Sequence, residues 1–208
     1  MKTPPERLAD GLRALGLELA EAQRERLLAY LDLLQRWNRA YNLTAVRDPA
    51  AMVERHLLDS LAIAPYLPPG ALLDLGSGGG LPGVPLAIAE PRRPVTLLDR
   101  SGKKVRFLRQ CRLELGLEGV EVVQGDASAG GEARFEVVTA RAVAPLATLI
   151  PMAAPRLRPG GELLAHKGER VAEELAELPE GVAAALERHE LPGAGGDGRS
   201  ILIRYRRD

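Results

Sequence analysis

The sequence predicts an α/β fold: a mostly parallel sheet with an antiparallel C-terminal strand, preceded by an N-terminal helical cap. Three observations carry this expectation. Residues 6–64 place apolar residues at helical spacing among charged ones. From residue 71 onward, short apolar runs alternate with helix-length segments, the pattern of parallel strands covered on both faces. The last run, SILIRY (200–205), follows the short glycine-rich PGAGGDG, which suits an antiparallel hairpin partner.

Leu8, Leu12 and Leu15 keep helical spacing, as do Leu27, Leu31 and Leu34, and Gly16 punctuates the two helices. Asp48-Pro49 reads as an N-cap followed by proline at the first helical position, opening a helix through Ile63. Pro65 and Pro68-Pro69-Gly70 then end it. Strands are expected at 71–75, 95–99, 120–124, 135–139, 162–166 and 200–205, with a further one within 182–191. The division is a cap over 1–67 and a sheet domain over 68–208, packed as one compact unit.

At 208 residues the chain can form one α/β domain with an appendage. Its 28 basic and 28 acidic residues cancel, so no global field recruits nucleic acid and any basic surface is local. Cys111 is the only cysteine, which rules out an internal disulfide and suits a reducing compartment. The opening MKTPPERLADGL lacks a signal-peptide core, and no run approaches the ~20 apolar residues of a membrane span. A cytoplasmic monomer with no membrane partner is the expectation.

The chemistry centres on LLDLGSGGGLPGVPLAI. The strand ends on Asp74, and Gly76-Ser77-Gly78 and Gly80 follow in an Asp-x-Gly-x-Gly-x-Gly turn. Glycines there permit positive φ and close approach of a ligand to bare backbone. Such a turn lies beyond the carboxyl ends of the strands, where open α/β sheets bind ligands. The dinucleotide fingerprint fails from Gly76, which puts Leu81 at the last glycine position; counting from Gly78 puts Gly83 there but shifts the turn away from the strand. A phosphate-binding loop fails too, because no Gly-Lys-Ser/Thr follows. Asp74 repels a pyrophosphate but suits an ammonium group. Asp99 closes the second strand and can accept from a ribose diol. Asp126 follows the third strand and can accept from an adenine amino group. Taken singly, Asp99 suits a helix cap and Asp126 a turn. Three acids at the ends of three successive strands fit methionine, ribose and adenine in turn. This is the S-adenosylmethionine (SAM) arrangement of a class I, Rossmann-like methyltransferase.

Seven segments then resemble the RsmG/GidB family: WNRAYNLTAVRDP (37–49), RHLLDS (55–60), LDLGSGGGLPGVPLAI (73–88), RFLRQ (106–110), TARAVAPL (139–146), HKG (166–168) and GDGRSILI (196–203). The resemblance spans roughly residues 8–205. It implies a SAM-dependent enzyme that methylates N7 of one guanine in the decoding-region loop of 16S ribosomal RNA. It also implies that Gly76, Leu81, Ala127 and Ser128 line the cofactor, and that Arg141 sits beside cofactor and target base. Asp126-Ala127-Ser128 departs from the Arg-x-Glu of many members, and Ser200 stands where histidine is usual.

The residues that are missing agree with this chemistry. Guanine N7 has a lone pair and no proton, so its methylation rests on alignment and electrostatics. The Asn/Asp-Pro-Pro-aromatic motif of adenine-amine methylation is absent after the fourth strand. Cys111 lies mid-helix, as a core residue rather than the nucleophile of pyrimidine methylation. Lys167 suits either phosphate and base contact or an exposed turn. His56 and Asp59, spaced i and i+3, suit either the base pocket or helix packing. No metal-ligand spacing accompanies them. A small-molecule methyltransferase and a non-catalytic SAM- or RNA-binding regulator are the alternatives.

Residues 92–112 hold eight bases against one acid, and Lys103, Arg106 and Arg109 share a helical face beside Lys104. This local excess suits RNA phosphates, with 16S ribosomal RNA or the small subunit as partner. A second basic group, Arg199, Arg204, Arg206 and Arg207, lies in the tail. With 3% aromatics an extended base-stacking platform is not expected, and Trp37 and Tyr41 read as packing the cap onto the sheet.

Overall fold

The computed structural model describes residues 2–192 and 200–208. In chain order the helices before the sheet are α1 (Pro4–Ala14), α2 (Glu21–Tyr41), α3 (Pro49–Met52), a π-helical turn (Val53–Leu58) and α4 (Asp59–Leu61). The strands are β1 (Leu72–Leu75), β2 (Val95–Asp99), β3 (Val120–Gln124), β4 (Phe135–Arg141), β5 (Leu157–Lys167), β6 (Glu187–Glu190) and β7 (Ile201–Arg206). Helices α5 (Gly83–Ala89) and α6 (Gly102–Glu114) follow β1 and β2. Helix α7 (Leu146–Ala153) follows β4, and α8 (Val171–Ala176) and α9 (Glu180–Ala184) follow β5.

The sheet runs β3-β2-β1-β4-β5-β7-β6. Strands β1 to β5 are parallel, and β7 lies antiparallel between β5 and β6, so the expected late hairpin is present. The strand order turns back between β1 and β4. At such a switch point the two crossovers leave in opposite directions and open a crevice at the carboxyl ends. Gly76 and Arg141 both lie there.

Alternation along β1 sends Leu72 to one core and Leu73 and Leu75 to the other. The first core joins Leu27, Leu34 and Leu57 of the cap to Val95, Leu97 and Val137 of the sheet and Phe107 of α6. Cap and sheet thus share one apolar interior. Trp37 stacks on Tyr41 at 5.2 Å and meets Phe107 at 5.6 Å, so this pair packs the cap onto α6 rather than onto the sheet. Cys111 is fully buried, and burial pushes its thiol up and away from reactivity.

Local chemistry sets the helix ends. Thr3 and Glu6 form a reciprocal capping box on α1, two residues ahead of the expected start. Asp48 accepts from Ala51 N–H at 2.7 Å, as its Asp-Pro pairing predicts. The expected α-helix through Ile63 is not uniform. Asp59 N–H bonds to the carbonyl of Glu54, five residues back, rather than to that of Arg55. Between β3 and β4 there is only a 3₁₀ turn, Ala127–Ala129. Strand β5 starts at Leu157 rather than 162, because the register against β4 shifts between Phe135 and Val137 and absorbs Pro159-Gly160-Gly161.

One cap residue reaches the glycine turn directly. Tyr30, wholly buried, donates its hydroxyl to the carbonyl of Gly79 at 2.5 Å. Tyr30→Phe is expected to lower stability by about 2 kcal/mol in urea unfolding, since it strands a buried carbonyl.

Candidate active site

The glycine turn is held from behind. Asp74 is fully buried at the end of β1. One of its carboxylate oxygens accepts from Gly83 N–H at 3.1 Å, and the other from the Thr139 hydroxyl at 3.2 Å. Gly83 permits this only because it has no side chain: a Cβ there would lie 2.4 Å from Leu97 Cδ2 and 2.6 Å from Asp74 Oδ2. The carboxylate expected to face an ammonium is therefore turned inward and organises the turn. Burial pushes its carboxyl up from the ordinary 3.8 to about 6, against the hydrogen bonds from Ser77, Gly83 and Thr139.

The rest of the turn is pinned by its own backbone. The Ser77 hydroxyl donates to Asp74 O at 2.9 Å, and Gly80 and Leu81 N–H both return to Ser77 O. Gly76, Gly78 and Gly80 have φ of 71°, 59° and 88°. At Gly80 a Cβ would also strike Val84 at 2.7 Å. At Gly78 it would meet Gly76 O at 3.7 Å and Lys104 Nζ at 3.9 Å, both ordinary contacts, so the backbone there is uncrowded. Asp99 lies beside it. It accepts from Gly78 N–H at 2.9 Å and from Ser101 N–H at 2.8 Å, joining the ligand and helix-start readings in one carboxylate. Each of its oxygens keeps a further lone pair. Lys104 turns to this carboxylate at 3.6 Å, so it belongs to the turn rather than to the outer basic face. Asp126 is exposed and accepts from Ser128 N–H and hydroxyl through the same oxygen, leaving its other oxygen without a protein partner.

A cleft of about 710 Å³ adjoins the turn. Its lining includes Arg55, Asp59, Arg141, Val143, His166 and Lys167. Val143 joins the two sites, because a Cβ on Gly76 would touch Val143 Cγ2 at 2.9 Å. Ala142 beside it holds φ 54°, an uncommon conformation for a residue with a Cβ.

Arg141 is anchored twice within the cleft. Its Nη2 donates to Arg55 O at 2.9 Å, the carbonyl that Asp59 N–H bypasses in the π turn. Its Nη1 forms an ion pair with Asp59 Oδ2 at 3.1 Å, without hydrogen-bond geometry. Asp59 Oδ1 also accepts from the Ser200 hydroxyl at 2.6 Å and meets His166 Nε2 at 3.2 Å. Burial alone raises the Asp59 carboxyl, but the hydrogen bond and charge of His166, with the Arg141 guanidinium, hold it below its ordinary range. Ser200 and Asp59 meet the same nitrogen of His166, while its Nδ1 is buried without a partner. A hydrolytic triad needs the acid and the hydroxyl on opposite ring nitrogens, so the geometry excludes that chemistry.

For two residues the sequence left both readings open. His56 does not line the cleft. It is buried against the Thr44 hydroxyl at 2.9 Å, and burial lowers its imidazole pKa. Lys167 lines the cleft but is tied at 2.7 Å to both Glu174 and Ala144 O, so its charge is matched inside the protein. Lys103, Arg106 and Arg109 project from α6 into solvent, as their spacing predicts. Arg204 is engaged by Glu162 and Glu187, and Arg207 by the carbonyls of Ala154 and Leu157, so those two tail arginines are structural. Arg199 lies outside the described residues. Among the described residues no group of three or more histidine, cysteine or acidic side chains is placed to hold a metal, and no helix is long and apolar enough to cross a membrane.

The sequence reading missed Tyr30 and Gly83. The sign of the Asp74 effect follows from its raised pKa. Its contribution to stability is fully present below 3.8 and is lost as pH rises through about 6. Native-state stability should fall by up to about 3 kcal/mol across that window, and Asp74→Asn should flatten the slope in urea titrations.

The GidB family model, described as rRNA small subunit methyltransferase G, matches residues 23–201. The ribosomal RNA small subunit methyltransferase G of Halorhodospira halophila is 57% identical over 203 residues, covering 98% of this chain and 97% of that protein. Its counterpart in Chromohalobacter salexigens is 52% identical over 201 residues, covering 97% and 96%. In fold alone, P. horikoshii TYW2 in complex with MeSAdo superposes with a TM-score of 0.56 at 14% identity, covering 71% of this chain and 61% of that one. The O-methyltransferase NcsB1, in complex with S-adenosylmethionine, gives 0.50 at 25% identity, covering 66% and 49%. Motifs, sheet order and these relatives converge: the chain belongs to the GidB family of small-subunit rRNA methyltransferases.

Proposed function

We propose that the chain uses SAM to methylate N7 of one guanine in the decoding-region loop of 16S ribosomal RNA. The observation that carries this is the junction at Gly76 and Val143, where the glycine turn meets the cleft holding Arg141. The turn fits the cofactor by a feature of its own: the uncrowded backbone of Gly78 lies beside the Asp99 carboxylate. Gly76, Gly78 and Leu81 would lie along the cofactor, Asp99 would accept from its ribose, and the free oxygen of Asp126 from its adenine. When bound, SAM supplies an electrophilic methyl group on a sulfonium.

Everything else falls to the chain and the base. Guanine N7 needs no deprotonation, and two half-buried carboxylates of the cleft, Asp59 and Glu174, are already committed to protein partners. Their role is positioning. Arg141 can donate to the guanine O6 edge, where adenine presents an amino donor instead. Lys103, Arg106 and Arg109 on α6 supply a phosphate-binding face near the turn, while the neutral whole favours a local footprint. Shape-based recognition with one base extruded suits a chain this poor in aromatics.

Incubation with methyl-labelled SAM and unmodified small subunits, followed by digestion to nucleosides, should place the label in 7-methylguanosine. Label in another nucleoside, or none, contradicts the proposal. Changing Lys103, Arg106 and Arg109 together to alanine should raise KM for the subunit and flatten its salt dependence by about two to three charges' worth of slope. SAM affinity should not change.

A further inference from the structure

Three side chains from the sheet domain converge on Asp59. Its carboxylate sits on α4 and meets Arg141 from β4, His166 from β5 and Ser200 ahead of β7. We propose that Asp59 is a positioning residue for Arg141: with the Arg55 carbonyl it fixes the guanidinium in the cleft and balances its charge beside the target base. This rests on the guanine-N7 reading and deepens it.

Two anchors on two different nitrogens determine a planar group's orientation in a way that one cannot. Nη1 faces Asp59 Oδ2 at 3.1 Å, and Nη2 donates to Arg55 O at 2.9 Å. Both acceptors come from the cap, and the second is one that Asp59 N–H bypasses in the π turn. The fork keeps further N–H donors for a ligand. An arginine in this cleft without a counter-charge would oppose the chemistry, because N7 methylation leaves the base with one more positive charge. Asp59, its side chain only 16% exposed, offsets that opposition at close range where solvent screening is weak.

The test is a double-mutant cycle on Asp59→Asn and Arg141→Ala. Its readout is single-turnover methylation of unmodified small subunits at saturating SAM. Asp59→Asn is expected to slow the rate on the order of 100-fold, with KM for the subunit and SAM affinity within about threefold of wild type. Once Arg141 is gone, Asp59→Asn should cost no more than about threefold further. Losses that multiply, or an Asp59→Asn enzyme at wild-type rate, overturn the proposal. Arg141→Lys tests the same idea with Asp59 intact. One ammonium cannot satisfy both anchors, so it should be as slow as Arg141→Ala, and recovery toward wild type overturns the proposal. Wild-type label outside 7-methylguanosine defeats the guanine reading and this inference together. Label in 7-methylguanosine with multiplying losses defeats this inference alone.

Discussion

A carboxylate with no access to water, Asp74, sits between the Gly83 amide and the Thr139 hydroxyl, and the rest of the site is arranged around it. It spans the switch point. Gly83 opens α5, Thr139 lies on β4, and Arg141 follows two residues later on the same strand. The glycine turn and the cleft thus take their relative position from one buried acid. The cost shows in its raised pKa, since burial favours the neutral form. Strain at Ala142 is the matching feature on the cleft side.

The helical cap is part of this machinery rather than a separate attachment. Its leucines close one face of the sheet, and Tyr30 holds the turn at Gly79. The Arg55 carbonyl, within the π turn, accepts from Arg141, and Asn38, Thr44 and His56 fix the loop after α2 through paired hydrogen bonds. The cap therefore bears on both sites. Tyr30 holds the turn from beneath, and Arg55 and Asp59 hold the arginine in the cleft.

Much of this was legible from residue order. VTLLD became β2 at the expected bounds because a strand covered on both faces leaves an unbroken hydrophobic signature, and the edge strand VEVVQ became β3 at its expected bounds with Glu121 and Gln124 exposed. The Asp-x-Gly-x-Gly-x-Gly turn was legible because positive φ at Gly76, Gly78 and Gly80 selects glycine. What the sequence did not reveal depends on long-range partners. Tyr30 looked like any amphipathic-helix aromatic until it met Gly79, 49 residues away. Asp74 was read as facing outward because spacing places a strand-end acid without saying which side of the turn its oxygens reach. Lys104 and Lys167 were read by charge alone, and each found a carboxylate that local pattern does not disclose. The π turn left no composition signal at all.

The most direct measurement is calorimetric titration of SAM into Gly83→Ala, beside the wild type and with folding checked by circular dichroism. Gly83 touches no proposed ligand position, but a Cβ there collides with Leu97 and Asp74. If the buried carboxylate sets the turn, the folded variant should bind SAM at least about tenfold more weakly, a loss of roughly 1.4 kcal/mol. A folded Gly83→Ala that binds SAM with wild-type affinity would contradict the account.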